Sequence, residues 1–99
     1  MFDKYTVLLC ADLDYTSTKV KSQYVIQASE HDLRSPESLG RAALHTLDLD
    51  TQMRCTRIDL VQTNCDDPIP KGHWLKRLQG SAFIIKDGVV TRYLRPRSR

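Results

Sequence analysis

The first apolar segment of the chain, YTVLLCADLD at residues 5–14, carries apolar side chains on both alternating faces of an extended strand. Val7, Leu9, Ala11 and Leu13 share one face, and Leu8 and Cys10 share the other. A strand that is apolar on both faces is typical of a position inside a sheet. The sequence therefore predicts a central strand here.

A second strand and a helix are predicted to follow. Residues 20–29 alternate between apolar and polar side chains, and the short polar connection before them makes this strand antiparallel to the first. Ser35, Pro36 and Glu37 then supply a cap, a proline at the first helical position and an acid in the first turn. These signals predict a helix over residues 36–47.

The second half of the chain predicts three more strands and one more helix. Residues 53–62 have the length and the β-branched content of a strand, which we expect to run parallel to the second strand through a right-handed crossover. A loop with two prolines leads to a short helix at residues 71–79, which Gly80 ends. Asp87 and Gly88, between FIIK and VVTRYL, predict a two-residue hairpin turn.

Together these elements predict an α+β fold. The expected architecture is a single two-layer domain in the order ββαβαββ, with a mixed five-stranded sheet, two helices and a C-terminal Asp-Gly hairpin. Ninety-nine residues, 40% of them hydrophobic, have room for one core. We assign residues 1–95 to this domain and residues 96–99 to a flexible basic tail, because Pro96 and the alternating arginines oppose regular structure.

Cysteine content and hydropathy limit where the protein resides. Three cysteines, Cys10, Cys55 and Cys65, cannot all pair within one chain, and none belongs to a CxxC pair, so a reducing compartment fits best. The longest uncharged apolar run, residues 5–11, is far shorter than the roughly 20 residues that a bilayer span needs. We therefore expect a cytoplasmic protein with no membrane contact.

Charge is divided unevenly along the chain. Residues 1–67 hold 7 basic and 11 acidic side chains, whereas residues 68–99 hold 8 basic and one acidic, so the net charge changes from −4 to +7. A basic segment that contains a tryptophan is typical of a surface for a polyanion. The predicted nucleic-acid-binding residues are Lys71, Trp74, Lys76, Arg77, Arg92, Arg95 and Arg97.

This charge division favours a small non-enzymatic binding module whose basic C-terminal third contacts an acidic partner, nucleic acid first and an acidic protein surface second. A solvated charged face explains the same composition, and Trp74 at helical spacing from Leu78 is also typical of a core residue. In that alternative, the chain is a self-associating structural or regulatory domain without nucleic-acid binding. A two-fold homodimer is then expected through the last strand, VVTRYL, which is β-prone and carries one charge.

The hairpin turn also predicts where Arg92 points. In a regular hairpin with a two-residue loop, Phe83 pairs with Arg92 and Ala82 with Tyr93. Arg92 then shares the mostly apolar face of Phe83. It is expected either at the sheet margin, with its head in water, or in an ion pair.

A third hypothesis is a metal-dependent enzyme that uses Asp12 and Asp14. These aspartates lie two positions apart at the end of the first strand, so they point to the same face and offer carboxylate ligands. The hairpin that follows, however, places Lys19 and Lys21 beside them, which favours ordinary cross-strand ion pairs. The cysteine and histidine spacing matches no zinc module. We therefore expect no metal ion and no cofactor.

Overall fold

The computed structural model describes residues 5–64 and 78–95, which form an α+β fold, the class that the sequence predicts. Its elements are β1 (Tyr5–Tyr15), β2 (Thr18–Ala28), α1 (Glu30–Arg34), α2 (Pro36–His45), α3 (Leu49–Arg54), β3 (Cys55–Asn64), β4 (Ala82–Lys86) and β5 (Val89–Leu94). The five strands form one sheet in the order β2-β1-β3-β4-β5.

All neighbouring strands in this sheet are antiparallel, so the predicted mixed sheet is wrong. The third strand does run in the same direction as β2, but it does not pair with β2. After β2 the chain passes through α1, α2 and α3 and enters the sheet on the other side of β1. Because β1 lies between the two parallel strands, each of them has an antiparallel neighbour.

Three helices are described, whereas the sequence predicted two in the whole chain. The missed helices, α1 and α3, have only five and six residues, too few for an apolar period to be visible. Their caps mark them instead, because Ser29 Oγ accepts from the Asp32 N–H and Asp48 Oδ1 accepts from the Thr51 N–H, both at 3.1 Å. None of the described helices is long and apolar enough to cross a membrane. The helix predicted at residues 71–79 lies almost wholly outside the described residues.

One face of the sheet packs against the helices and forms the core. Its largest fully buried side chains include Phe83, Leu9, Leu33, Leu39, Leu44, Ile58 and Leu60. The aromatic rings of Phe83 and Tyr93 lie 5.4 Å apart between centroids. Tyr24 Oη donates to the carbonyl oxygen of Ala43 at 2.8 Å, which ties β2 to α2. The opposite face of the sheet is where the charged strand residues lie.

Candidate functional site on the open face of the sheet

Charged side chains follow one line across the face of the sheet that points away from the core. Directly opposed residues in antiparallel strands point to the same face. From β2 to β5, the strand register places in one line Lys21, Asp12, Arg57, Ile84 and Arg92. We call this side of the sheet, which none of the described helices covers, the open face, and we call this line, in which four of the five residues are charged, the charged row.

Two ion pairs lie on the open face. Lys21 Nζ is 3.0 Å from Asp12 Oδ1, and Arg57 Nη2 is 2.9 Å from Asp59 Oδ1. The hydrogen bond and the negative charge of Asp12 raise the pKa of Lys21 above its usual value. The predicted pairing of the first-strand aspartates with lysines is confirmed by the register, in which Asp14 also faces Lys19.

These pairs bear on the metal hypothesis. The carboxylate of Asp12 is already neutralised by Lys21 rather than shared with a second acid. Within residues 5–64 and 78–95, no three side chains of histidine, cysteine, aspartate or glutamate come together as a metal-binding group. The metal-dependent alternative therefore draws no support from the described part of the chain.

Arg92 does not occupy the position that the regular hairpin predicts. The pairing of β4 and β5 shifts between Ile84 and Ile85, so Phe83 pairs with Tyr93 and Ile84 pairs with Arg92. A bulge inserts one extra residue into a strand, and each later side chain then points to the opposite face. Here the shift moves Arg92 away from the face of the buried Phe83. Thr91 Oγ1 donates to the Ile84 carbonyl oxygen at 3.2 Å beside the shift.

Of the seven predicted nucleic-acid-binding residues, the structure describes two, Arg92 and Arg95. Both are exposed, and Arg95 directly follows β5. Neither makes an ion pair with another described residue. The remaining predicted residues lie outside the described ranges, as does the predicted tail at 96–99: they are Lys71, Trp74, Lys76, Arg77 and Arg97.

The sequence-based prediction did not include the basic residues that the first half of the chain adds to this surface. Lys21 and Arg57 belong to the part of the chain with net negative charge, so counting charge along the sequence concealed them. The alternation along β2 could have revealed part of this surface, because Lys19 and Lys21 are two positions apart and must share a face. Their placement on the same face as Arg57 and Arg92 follows only from the order and register of the strands.

The two sides of the domain differ in charge. The described strand residues of the open face include five cations, Lys19, Lys21, Arg57, Lys86 and Arg92, against three acids, Asp12, Asp14 and Asp59. The three helices with their caps carry more acids than cations. Their acids are Glu30, Asp32, Glu37, Asp48 and Asp50, and their cations are Arg34, Arg41 and Arg54. Among the described residues, the open face therefore carries the more positive net charge of the two sides.

Cys55 is a buried packing residue. Its side chain is 2% exposed, and Sγ donates weakly to the Arg57 carbonyl oxygen at 3.6 Å. Burial raises the pKa of the Cys55 thiol to about 11. Because the thiolate is the reactive form of cysteine, the raised pKa and the burial both disfavour reaction of Cys55 at neutral pH.

We expect the free energy of unfolding to fall between pH 9 and pH 11 because of Cys55. The thiol ionises near its usual pKa of 9.0 in the unfolded chain but only at about 11 in the folded protein. This stabilisation is therefore complete below pH 9 and is lost as the pH rises through 11, with a total on the order of 3 kcal/mol. Urea unfolding at closely spaced pH values should show a flatter profile for Cys55→Val than for Cys10→Ala. Equal slopes in the two variants would refute this account.

Arg92 also borders a groove of about 340 Å³ between α2 and β5. Glu37 and Arg41 line its helical side, and Val90 and Thr91 line its strand side. Arg92 therefore stands where the open face, the groove and the sheet edge meet.

No protein-family model, curated protein or solved structure matches this chain.

Proposed function

We propose that this chain is a non-enzymatic binding module that contacts nucleic acid through the open face of its sheet and the basic residues of its C-terminal third. The observation that carries the proposal is the position of Arg92. Its side chain is exposed, makes no ion pair within the described residues and lies at the end of the charged row. An unpaired guanidinium at that place is available for a phosphate, which arginine binds in a bidentate manner.

The spacing within the charged row supports an extended anionic partner. Neighbouring strands lie about 4.8 Å apart, so Lys21, Arg57 and Arg92, each two strands from the next, stand about 10 Å apart. The segment that follows residue 67 adds a net charge of +7 to the same chain. Lys21 and Arg57 are paired with Asp12 and Asp59, so Arg92 is the cation of the row with no ion pair among the described residues, and a polymer of phosphates would compete with the aspartates for the other two.

Within the described residues, contact with phosphates is favoured over stacking on bases. The aromatic residues of β1, β2, β4 and β5, namely Tyr5, Tyr15, Tyr24, Phe83 and Tyr93, are buried in the core or packed against it. The described part of the open face therefore offers no ring on which a base can stack. Phosphate contacts carry no sequence information, so we expect slight sequence preference and strong dependence on salt.

The proposal predicts that Arg92→Glu weakens binding to mixed-sequence DNA or RNA roughly fivefold to tenfold at low salt. Each phosphate contact that is lost should also reduce the slope of log affinity against log salt by about 0.7 to 0.9. Fluorescence anisotropy with labelled oligonucleotides at increasing salt measures both quantities. The loss should be uniform across sequences, because a phosphate contact positions the ligand without reading bases.

Arg34→Glu is a control that makes the same charge change on the helical side of the domain, with the difference that Arg34 is paired with Glu30. It should change the affinity less than Arg92→Glu does. Equal losses would mean that only net charge matters, and no binding at about 50 mM salt would reject the proposal. Polyglutamate that binds as tightly as an oligonucleotide of equal charge would identify an acidic protein surface as the partner instead.

A further inference from the structure

The two edge strands of the sheet differ in regularity. β5 has six residues, and a register shift interrupts its pairing with β4. Such shifts twist an edge strand and oppose the addition of another strand. β2 has eleven residues and pairs with β1 from end to end without a shift, and no described strand covers its outer edge. β2 is therefore the longer and more regular edge.

Charge protects only the first half of this edge. Lys19 and Lys21 lie near the start of β2, whereas the segment SQYVIQA at residues 22–28 contains no charge, no proline and no glycine. Val25, in the middle of that segment, is 58% exposed. An uncharged, β-prone segment on a regular edge is a template for pairing with another strand.

We propose that two copies of this chain associate through antiparallel pairing of β2 with β2 of the second copy, about a two-fold axis at Val25. In this register Val25 faces Val25 of the second copy, Gln23 faces Gln27, and Ser22 faces Ala28. The uncharged segments of both copies are then fully paired with each other. A two-fold contact of this kind closes at the dimer.

Charge complementarity favours a second copy as the occupant of this edge, with Lys21 and Glu30 each also paired within its own copy, to Asp12 and Arg34. Lys19 and Lys21 stand at one end of β2, and Glu30 and Asp32 of α1 follow its other end directly. Antiparallel pairing brings the basic end of each copy beside the acidic end of the other, twice in each dimer. Parallel pairing would instead place lysine beside lysine, which is unfavourable.

The dimer would join the two sheets into one of ten strands, with both open faces on the same side. This inference goes beyond the proposed function and does not depend on it, because the pairing uses the edge of β2 and not Arg92. It also differs from the interface that the sequence suggested, since the last strand, VVTRYL, carries the register shift.

Sedimentation equilibrium over a range of protein concentrations tests the inference. The wild type should change from the monomer mass of 11.4 kDa toward twice that value as concentration rises. Val25→Lys places two like charges at the axis and should raise the dimer Kd by at least about tenfold. Thr91→Lys, the matched change at an exposed position of β5, should leave the Kd unchanged.

A charge exchange makes the test independent of any general loss of stability. Lys19→Glu and Glu30→Lys should each raise the Kd, by roughly threefold to tenfold, and the double variant should recover most of the wild-type affinity. Monomer at all concentrations up to the high micromolar range would overturn the inference. Dissociation by Thr91→Lys but not by Val25→Lys would also overturn it, and so would a double variant weaker than either single one.

Discussion

Replacing Phe83 by alanine is expected to lower the free energy of unfolding by about 3 to 5 kcal/mol. Phe83 has no exposed surface, and its ring packs on that of Tyr93 with 5.4 Å between the ring centroids. The truncation removes buried apolar surface and leaves a cavity between β4 and α2. The surrounding sheet and helix are fixed by their own hydrogen bonds, so the cavity can close only in part.

Urea unfolding followed by circular dichroism measures this loss. Ile84→Ala is a suitable control, because Ile84 is the next residue of β4 but points to the open face and is only partly buried. We expect it to cost less than half as much as Phe83→Ala. A loss below about 1.5 kcal/mol for Phe83→Ala would show that Phe83 is not central to the core.

Replacing Gly40 by valine is expected to destabilise the fold by about 1 to 3 kcal/mol through overpacking. A β-carbon at Gly40 would lie 3.0 Å from Cδ1 of Phe83 and 3.4 Å from Cγ1 of Val90. The ring of Phe83 is fully buried, so it has little room to move. Glycine therefore permits the close approach of α2 to the sheet, although glycine inside a helix is otherwise unfavourable.

The cause of this loss is tested by combining the two changes. In the Phe83→Ala background the obstructing ring is absent. The loss of unfolding free energy caused by Gly40→Val should therefore be smaller there than in the wild type, by at least about 1 kcal/mol. Gly40→Ala should fall between the wild type and Gly40→Val, because the helix propensity of alanine offsets part of the closer contact. Additive effects of Gly40→Val and Phe83→Ala would exclude the ring as the obstacle.

Local patterns in the sequence predict most of the elements that build this fold. The apolar residues on both faces of β1 mark a strand inside the sheet, and Ser35 with Pro36 marks the start of α2, because Ser35 Oγ accepts from the Ser38 N–H and Pro36 has no N–H that needs a partner. Asp87 and Gly88 both have positive φ, the conformation that their turn demands. The short helices α1 and α3 were not predicted, because they have no visible apolar period and only their caps distinguish them from loops.

The candidate site was predictable only in its composition. The sequence shows that Arg92 and Arg95 belong to a basic segment, and it shows the cross-strand neighbours of Asp12 and Asp14. It does not show that Arg57 and Arg92 share a row. The row requires β3 to lie beside β1, which depends on contacts between residues far apart in the chain, and it requires the register shift in β5, which the composition of the hairpin does not reveal.

The α+β class, the number of strands and the uneven distribution of charge can be read from the sequence alone, because they depend on neighbouring residues and on simple alternation. Contacts across the whole fold select which strands are neighbours, which face Arg92 occupies and which edge is left regular. A strand fits chemically beside several others, and packing of the whole core selects among them. A shift of one residue in β5, invisible in its composition, then determines whether an arginine lies among buried rings or on a charged surface.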